Sequence, residues 1–218
     1  MLKFFPDLKE NDKVKVLCLG AHSDDIEIGC GGTILKIIEH MPQVSVDWIV
    51  FSASPARREE AINSASEFLN NVHEKEIIIK NFEDGFFPYN GAEIKSFFED
   101  LKNLSPDIIF THYRHDLHQD HRLLCDLTWN TFRDHFILEY EIPKYDGDLG
   151  TPNFFVHLPS SIYQRKVDSL LKHFGTQENK HWFTPETFRA ILRLRGIESR
   201  APEMYAEAFH CRKLTWGI

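Results

Sequence analysis

Histidine and aspartate side chains, which bind divalent metals and transfer protons, cluster in two short stretches of the chain. The first stretch contains His22, Asp24 and Asp25 within four residues. Two adjacent carboxylates at the end of a strand repel each other unless a cation offsets their charge. The stretch therefore favours a divalent metal site, although a His-Asp-Asp sequence in a loop is more commonly turn or capping chemistry.

The second stretch, residues 112–121, contains four histidines and two aspartates. If a helix begins near Leu117, His118 and His121 are three residues apart and face the same side. Catalytic zinc commonly takes three nitrogen or oxygen ligands from the protein and leaves one position for water. His22, Asp25 and His121 meet that count. A histidine-rich loop in solvent is the alternative, so a joint site requires the two stretches to meet in space.

Four apolar runs, separated by stretches with helical spacing, predict the scaffold that would bring the two stretches together. The runs are Lys13–Gly20, Val44–Ser52, Glu76–Lys80 and Asp107–Thr111. Nearly continuous apolar runs are typical of parallel strands covered by helices on both faces. The histidine-rich stretches follow the first and fourth runs, and open parallel sheets bind ligands beyond the carboxyl ends of their strands. We predict an α/β protein, a single-domain Rossmann-like three-layer sandwich with a mostly parallel sheet.

The remaining pattern predicts helices and further strands. Helices are expected over residues 32–39, 56–70, 91–103, 118–134 and 160–174, and strands over 137–142 and 153–158. Thr184 and Pro185 are typical of the N-cap and first position of another helix. We expect one domain over residues 1–218, in which 136–218 is a C-terminal elaboration that closes over the site and shapes its pocket.

The glycines at 29, 31 and 32 raise the alternative of a nucleotide site. The dinucleotide fingerprint needs G-x-G-x-x-G, and Ile34 occupies the position of its last glycine. Close packing explains these small residues better than a nucleotide site does. They allow the first helix to pack closely on the sheet with its N-terminus pointing at the site.

Charge and cysteine content restrict the partners. A formal net charge of -8 argues against a protein that binds nucleic acid or anionic lipid through its overall field, so a small-molecule partner is expected. The four cysteines are widely spaced without a C-x-x-C pair, which favours reduced thiols in the cytoplasm. Residues 1–13 lack the apolar region of a signal peptide, and no stable membrane insertion is expected. The oligomeric state stays open, and a homo-oligomer is one of the options.

The two stretches resemble the motifs of the PIG-L/LmbE family of zinc-dependent deacetylases, which act on N-acetylglucosamine-type substrates. The family's A-H-P-D-D-E followed by G-G-T is similar to residues 21–26 with 31–33, and its H-x-D-H preceded by Asp is similar to residues 116–121. Further similarity at 57–61, 105–112 and 205–209 extends the resemblance over nearly the whole chain. Ser23 and Ile26 depart from the pattern, because the family has Pro and Glu at these positions.

The resemblance implies a role for each motif residue. His22, Asp25 and His121 correspond to metal ligands, Asp24 to the general base, and His118 to the residue that assists the oxyanion or the leaving amine. Zinc is the expected metal, with other divalent metals as alternatives.

Four more residues are candidates around that centre. Asp120 and Asp116 are expected to orient a histidine, with a surface salt bridge as the alternative for each. Arg57 and Tyr145 are expected to contact the substrate, and solvated surface positions are the alternative.

The predicted function is a metal-dependent hydrolase that removes the acetyl group of an N-acetylated sugar or sugar conjugate. Two alternatives stay open: an amidase that acts on a larger conjugate, and a non-catalytic sugar-binding module with the same fold.

Overall fold

A computed structural model, which describes residues 13–41 and 43–215, shows a seven-stranded sheet. The strands are β1 (Val14–Gly20), β2 (Val44–Val50), β3 (Glu74–Ile79), β4 (Ile108–His112), β5 (Phe136–Tyr140), β6 (Phe154–His157) and β7 (Ala206–Cys211). Their order is β3-β2-β1-β4-β5-β7-β6. The first five strands are parallel, and β7 runs antiparallel to both of its neighbours. The predicted mostly parallel sheet is confirmed.

Helices cover both faces of this sheet. They are α1 (Asp25–His40), α2 (Pro55–Phe68), α3 (Gly91–Leu101), α4 (Gln119–Thr131), α5 (Ser160–His173) and α6 (Pro185–Glu198). Helices α1, α2 and α5 pack together in one layer, and α3 packs with α4 in the other. The predicted three-layer α/β architecture is confirmed.

The residues of β1 explain why the sheet needs a helical layer on each face. Val16 and Cys18 are buried in the apolar core on one side, whereas Leu17 and Leu19 are buried in the core on the other side. Successive side chains of a strand point to opposite faces, so a strand that is apolar throughout is buried on both faces.

The start of α1 corrects the predicted helix, which began at residue 32. The helix begins at Asp25, so Gly29, Gly31 and Gly32 all lie inside it. A Cβ atom on Gly29 would lie 2.1 Å from a ring carbon of Tyr140, so only glycine allows this approach of α1 to β5. The close-packing interpretation of the glycines is confirmed, and Asp25 becomes the first residue of a helix that points at the sheet edge.

Strand β7 was absent from the predicted elements, and its sequence explains why. Glu207 is 3% exposed, and a buried charge obscures the apolar pattern of a strand. Its carboxylate lies 2.6 Å from the Lys166 ammonium and accepts hydrogen bonds from the backbone N–H groups of Gly32 and Thr33. These contacts join β7 and α5 to the middle of α1.

The prediction of no signal peptide concerns residues 1–13, of which 1–12 lie outside the described residues. In the described part of the chain, no helix has both the length and the apolar character needed to cross a bilayer.

Candidate metal centre

The histidine-rich stretches lie together at the carboxyl ends of β1 and β4. These neighbouring strands are the point at which the strand order reverses, since β1 leads to β2 on one side and β4 to β5 on the other. Ligand sites in open α/β sheets lie in the crevice at such a point. His22 and Asp24 follow β1, Asp25 begins α1, and His121 lies in the first turn of α4.

Three donor atoms from these stretches form a small triangle. His22 Nδ1 lies 3.2 Å from His121 Nε2 and 3.3 Å from Asp25 Oδ2, and the last two atoms are 3.6 Å apart. Ligand atoms at about 2.0–2.2 Å from a tetrahedral zinc ion stand about 3.3–3.6 Å from one another. The donor triangle therefore has the size of one face of a zinc coordination tetrahedron.

The second nitrogen of each histidine in the donor triangle faces a carboxylate. His22 Nε2 lies 3.0 Å from Asp84 Oδ1 and 3.4 Å from Asp120 Oδ2, and His121 Nδ1 lies 2.9 Å from Asp116 Oδ2. A carboxylate on one nitrogen fixes the imidazole tautomer and directs the lone pair of the other nitrogen to a metal. This arrangement suits both histidines for metal binding.

Negative charge dominates the centre. Burial disfavours the charged form of His22, but the carboxylates of Asp120 and Asp25 outweigh it and raise its pKa well above the ordinary value. Burial also opposes ionisation of Asp25, yet the imidazoles of His121 and His112 hold its pKa well below the usual range. A divalent cation would offset this excess of carboxylates. Burial lowers the pKa of His121 to about 3, so the ring is neutral, as a metal ligand must be.

Asp24 differs from Asp25 in its surroundings. Its Oδ1 lies 2.6 Å from a guanidinium nitrogen of Arg57, in the first turn of α2. Burial raises the pKa of Asp24, and the positive charge of Arg57 opposes that rise. Asp24 therefore lies beside the donor triangle as a buried carboxylate oriented by a cation.

His118 is the N-cap of α4, and its ring borders both triangle histidines. Its Nδ1 accepts a hydrogen bond from the Asp120 backbone N–H at 3.3 Å. The ring centroid lies 4.8 Å from that of His22 and 4.6 Å from that of His121. Burial, followed by the charge of His22, lowers the pKa of His118, so the ring is neutral and carries its proton on Nε2.

Comparison with known protein families shows to which family the chain belongs. Residues 17–132 match the PIG-L family, described as GlcNAc-PI de-N-acetylase. The chain belongs to the PIG-L family. The matched residues contain both histidine-rich stretches, β4 and the carboxyl end of β1.

Solved structures similar to this PIG-L protein have the same fold. A conserved protein of Thermus thermophilus is 19% identical, with a TM-score of 0.74 over 94% of this chain and 97% of that one. The N,N'-diacetylchitobiose deacetylase of Pyrococcus horikoshii is 23% identical, with a TM-score of 0.69 over 90% and 82%. The 4-carboxy-2-hydroxymuconate hydratase of Pseudomonas putida is 15% identical, with a TM-score of 0.73 over 94% and 99%. Because a hydratase also has this fold, the fold alone does not determine the reaction.

A cavity of about 190 Å³ opens above the centre of this PIG-L protein. Seven of the residues named from the sequence line it: His22, Asp24, Asp25, Arg57, His118, His121 and Tyr145. Asp116 and Asp120 are buried behind the histidines. Six further lining residues were not predicted from the sequence: Asp84, Ile142, Lys144, Gln177, Lys180 and Trp182.

Two residues without a predicted role, Asp84 in the cavity wall and His112 beneath it, had a detectable signal in the sequence. Asp84 lies in the loop after β3, at the same sheet edge as the two stretches, so its position at a strand end could have identified it. His112 ends β4, and its Nε2 lies 3.3 Å from Asp25 Oδ2. The atoms of Asp25, His112 and His121 form an alternative metal-binding set. However, His112 Nε2 already accepts a hydrogen bond from the Ala21 backbone N–H at 3.0 Å, which leaves His22 better suited.

Lys144, Gln177, Lys180 and Trp182 had no local signal. Lys144 lies in the connection after β5, with its ammonium 2.9 Å from Asp116 Oδ2. The other three belong to the connection between α5 and α6. Gln177, Lys180 and Trp182 reach the cavity only because the C-terminal helices pack back on the sheet. No residue spacing in the sequence predicts that packing.

Proposed function

We propose that this PIG-L protein is a zinc-dependent N-deacetylase that hydrolyses the acetamido group of an N-acetylated sugar or sugar conjugate. The observation that carries the proposal is the donor triangle of His22, Asp25 and His121 beside the buried carboxylate of Asp24. Membership in a family of de-N-acetylases and the likeness to a diacetylchitobiose deacetylase support the reaction and the sugar class.

His22, Asp25 and His121 would hold the ion, because they supply two imidazole nitrogens and one carboxylate oxygen at suitable distances. Three such ligands with an open fourth position are typical of catalytic zinc. A bound zinc ion polarises the acetyl carbonyl and lowers the pKa of the attacking water. Asp120, with Asp84, orients His22, and Asp116 orients His121, so these carboxylates set the direction of the ligand lone pairs.

Asp24 acts as the general base. Its carboxylate accepts the proton of the attacking water through Oδ2, while Arg57 binds Oδ1. Burial raises the pKa of Asp24 and makes it a stronger base than an exposed aspartate, while Arg57 keeps the ionised form populated.

His118 stabilises the oxyanion of the tetrahedral intermediate. Since Nδ1 accepts the Asp120 N–H, the ring proton lies on Nε2 and is available to donate to the developing negative charge. The lowered pKa of His118 makes it a neutral hydrogen-bond donor at pH 7. The proton that Asp24 has taken from water then reaches the departing amine.

Substrate contacts come from the outer part of the cavity. Arg57 has a buried Nε without a partner among the described residues, and this group can donate to a sugar oxygen. Tyr145 is 72% exposed at the mouth, where its ring can contact the sugar. The described part of residues 136–218, which includes Tyr145 and the α5–α6 connection, shapes the pocket. Four free cysteines support a reducing compartment, and we place the activity in the cytoplasm.

Two alternative functions were predicted from the sequence, a non-catalytic module and an amidase. A non-catalytic module is suggested only by Ser23 and Ile26, and Ile26 is fully buried in the apolar core on one side of the sheet, where it adds no group to the cavity. An amidase that acts on a larger conjugate would use the same centre with a different set of outer contacts.

Metal analysis combined with a substrate panel tests the proposal. The purified protein is stripped with a chelator, reconstituted with zinc, and assayed for acetate release from N-acetyl sugars, nucleotide sugars, glycolipids and larger acylated conjugates. We expect turnover of an N-acetyl sugar or sugar conjugate only in the reconstituted protein. Full activity of the stripped protein would refute metal dependence, and turnover of larger conjugates alone would favour the amidase.

A further inference from the structure

The connection between α5 and α6 carries a buried, unpaired hydrogen-bond acceptor in a residue that lines the cavity. Gln177 lines the cavity and is 3% exposed. Its Oε1 has no hydrogen-bond donor among the described residues. Buried carbonyl oxygens are nearly always paired, so an unpaired one in a residue that lines a cavity points to a donor that enters with a ligand or with water.

The neighbouring contacts fix which end of the Gln177 amide is the free one. The Thr176 hydroxyl lies 2.7 Å from Glu60 Oε2, and a carboxylate oxygen can only accept, so the hydroxyl hydrogen points to Glu60. Thr176 Oγ1 then offers only lone pairs to Gln177, 3.0 Å away. The group that faces Thr176 is therefore the amide NH₂, and Oε1 is the group left for another donor.

Helix α2 holds this acceptor in a fixed position relative to the metal centre. Glu60 also accepts a hydrogen bond from the Thr176 backbone N–H at 2.8 Å. Arg57, one turn earlier on α2, lies 2.6 Å from Asp24. The first half of α2 thus contacts both the proposed base and the α5–α6 connection, which gives Gln177 the fixed orientation that selective recognition needs.

Two further residues of the same connection suit a sugar. Trp182 is partly buried in the cavity wall, and Lys180 Nζ lies 5.6 Å from the centroid of its ring. An aromatic surface with a few fixed polar groups is typical of small-molecule sites. The acetamido group is taken up at the metal centre, so the donor that remains for Gln177 is a ring hydroxyl.

We propose that Gln177 is a specificity-determining residue whose Oε1 accepts a hydrogen bond from one hydroxyl of the sugar ring. This inference rests on the proposed deacetylation of an N-acetyl sugar. It names the α5–α6 connection as the segment that distinguishes sugars with the same acetamido group.

The test uses N-acetylglucosamine and its 3-deoxy, 4-deoxy and 6-deoxy analogues with the zinc-loaded protein. The wild type should lose about tenfold in kcat/KM on one analogue, the usual scale for one neutral hydrogen bond. Gln177→Met, which keeps the length of the side chain, should lose about tenfold on the parent sugar and show no further loss on that analogue. Gln164→Met on the outer side of α5 is the matched control and should behave as the wild type.

The same discrimination in Gln177→Met as in the wild type would overturn the proposal and leave water as the partner of Oε1. Thr176→Val is a second variant that removes the group that fixes the amide, and it should reduce discrimination without changing the zinc content. Calorimetric titration of the wild type and the Gln177→Met protein with the four sugars gives the binding constants for the same comparison. A protein that binds them without releasing acetate would contradict only the proposed reaction, whereas failure to bind any of them would refute the sugar-hydroxyl assignment.

Discussion

Replacing Asp24 with asparagine separates proton transfer from metal binding at two adjacent carboxylates. Asp25 Oδ2 belongs to the donor triangle, whereas Asp24 Oδ1 binds Arg57 at 2.6 Å. Asparagine keeps the size of Asp24 and an oxygen for Arg57 but cannot accept the proton of the attacking water. The Asp24→Asn protein should therefore fold, bind zinc and lose nearly all turnover.

The expected loss follows from the role of the group. General bases contribute about 10²–10⁴-fold, which corresponds to about 2.7–5.4 kcal/mol of transition-state stabilisation. The buried position of Asp24, 3% exposed, favours the upper part of this range, because solvent has little access to replace the missing base. Asp25→Asn, in contrast, weakens one of the three proposed metal ligands and should lose zinc as well as activity.

Zinc content and acetate release, measured together on the wild type and both variants, decide the assignment. A purely capping role would leave Asp24→Asn active, since asparagine is itself a good N-cap. Asp24 occupies the N-cap position of α1 without a side-chain capping hydrogen bond, which argues against that role. An active Asp24→Asn enzyme would nevertheless refute the general-base assignment, and a zinc-free one would require the roles of Asp24 and Asp25 to be exchanged.

Further variants test the ligands, the buried charge and the helix packing. His121→Ala should lose zinc by elemental analysis, and full occupancy would contradict its role as a ligand; His118→Ala should keep zinc and slow turnover about a hundredfold or more. Burial raises the pKa of Glu27 to about 8 from an ordinary value of 4.5. The folded protein thus holds a proton that the unfolded chain releases, and stability falls as pH rises between these values. Glu27→Gln should therefore gain thermal stability relative to the wild type between pH 5 and pH 8 in the metal-free protein, and a pH-independent difference would contradict this. Gly29→Ala should cost about 1–3 kcal/mol in denaturant unfolding because its Cβ overlaps an aromatic ring, whereas Gly91→Ala, with open space around it, should be nearly neutral.

The positions of the two histidine-rich stretches could be predicted because each directly follows a strand. Parallel strands that run in one direction deliver their carboxyl ends to the same edge, so His22 and His121 come together although 99 residues separate them. Local spacing also placed His118 and His121 on one side of α4, as their ring separation of 4.6 Å shows.

The outer cavity wall could not be predicted in the same way. Gln177, Lys180 and Trp182 lie in a connection whose path depends on how α5 and α6 pack against the rest of the chain. The connection is attached to α2 by the hydrogen bonds between Thr176 and Glu60, 116 residues apart in sequence. A single sequence contains no periodicity that reports such a pairing.

The missed strand β7 also affects the candidate metal centre, through α1. Glu207 accepts hydrogen bonds from the backbone N–H groups of Gly32 and Thr33, and Lys166 donates to the Ile28 carbonyl at 2.6 Å. A buried ion pair of this kind is costly to break, because either partner alone would be an unpaired buried charge. The pair therefore fixes the middle of α1 against β7 and α5. Since Asp25 is the first residue of α1, the geometry of the donor triangle depends on a strand near the opposite end of the chain.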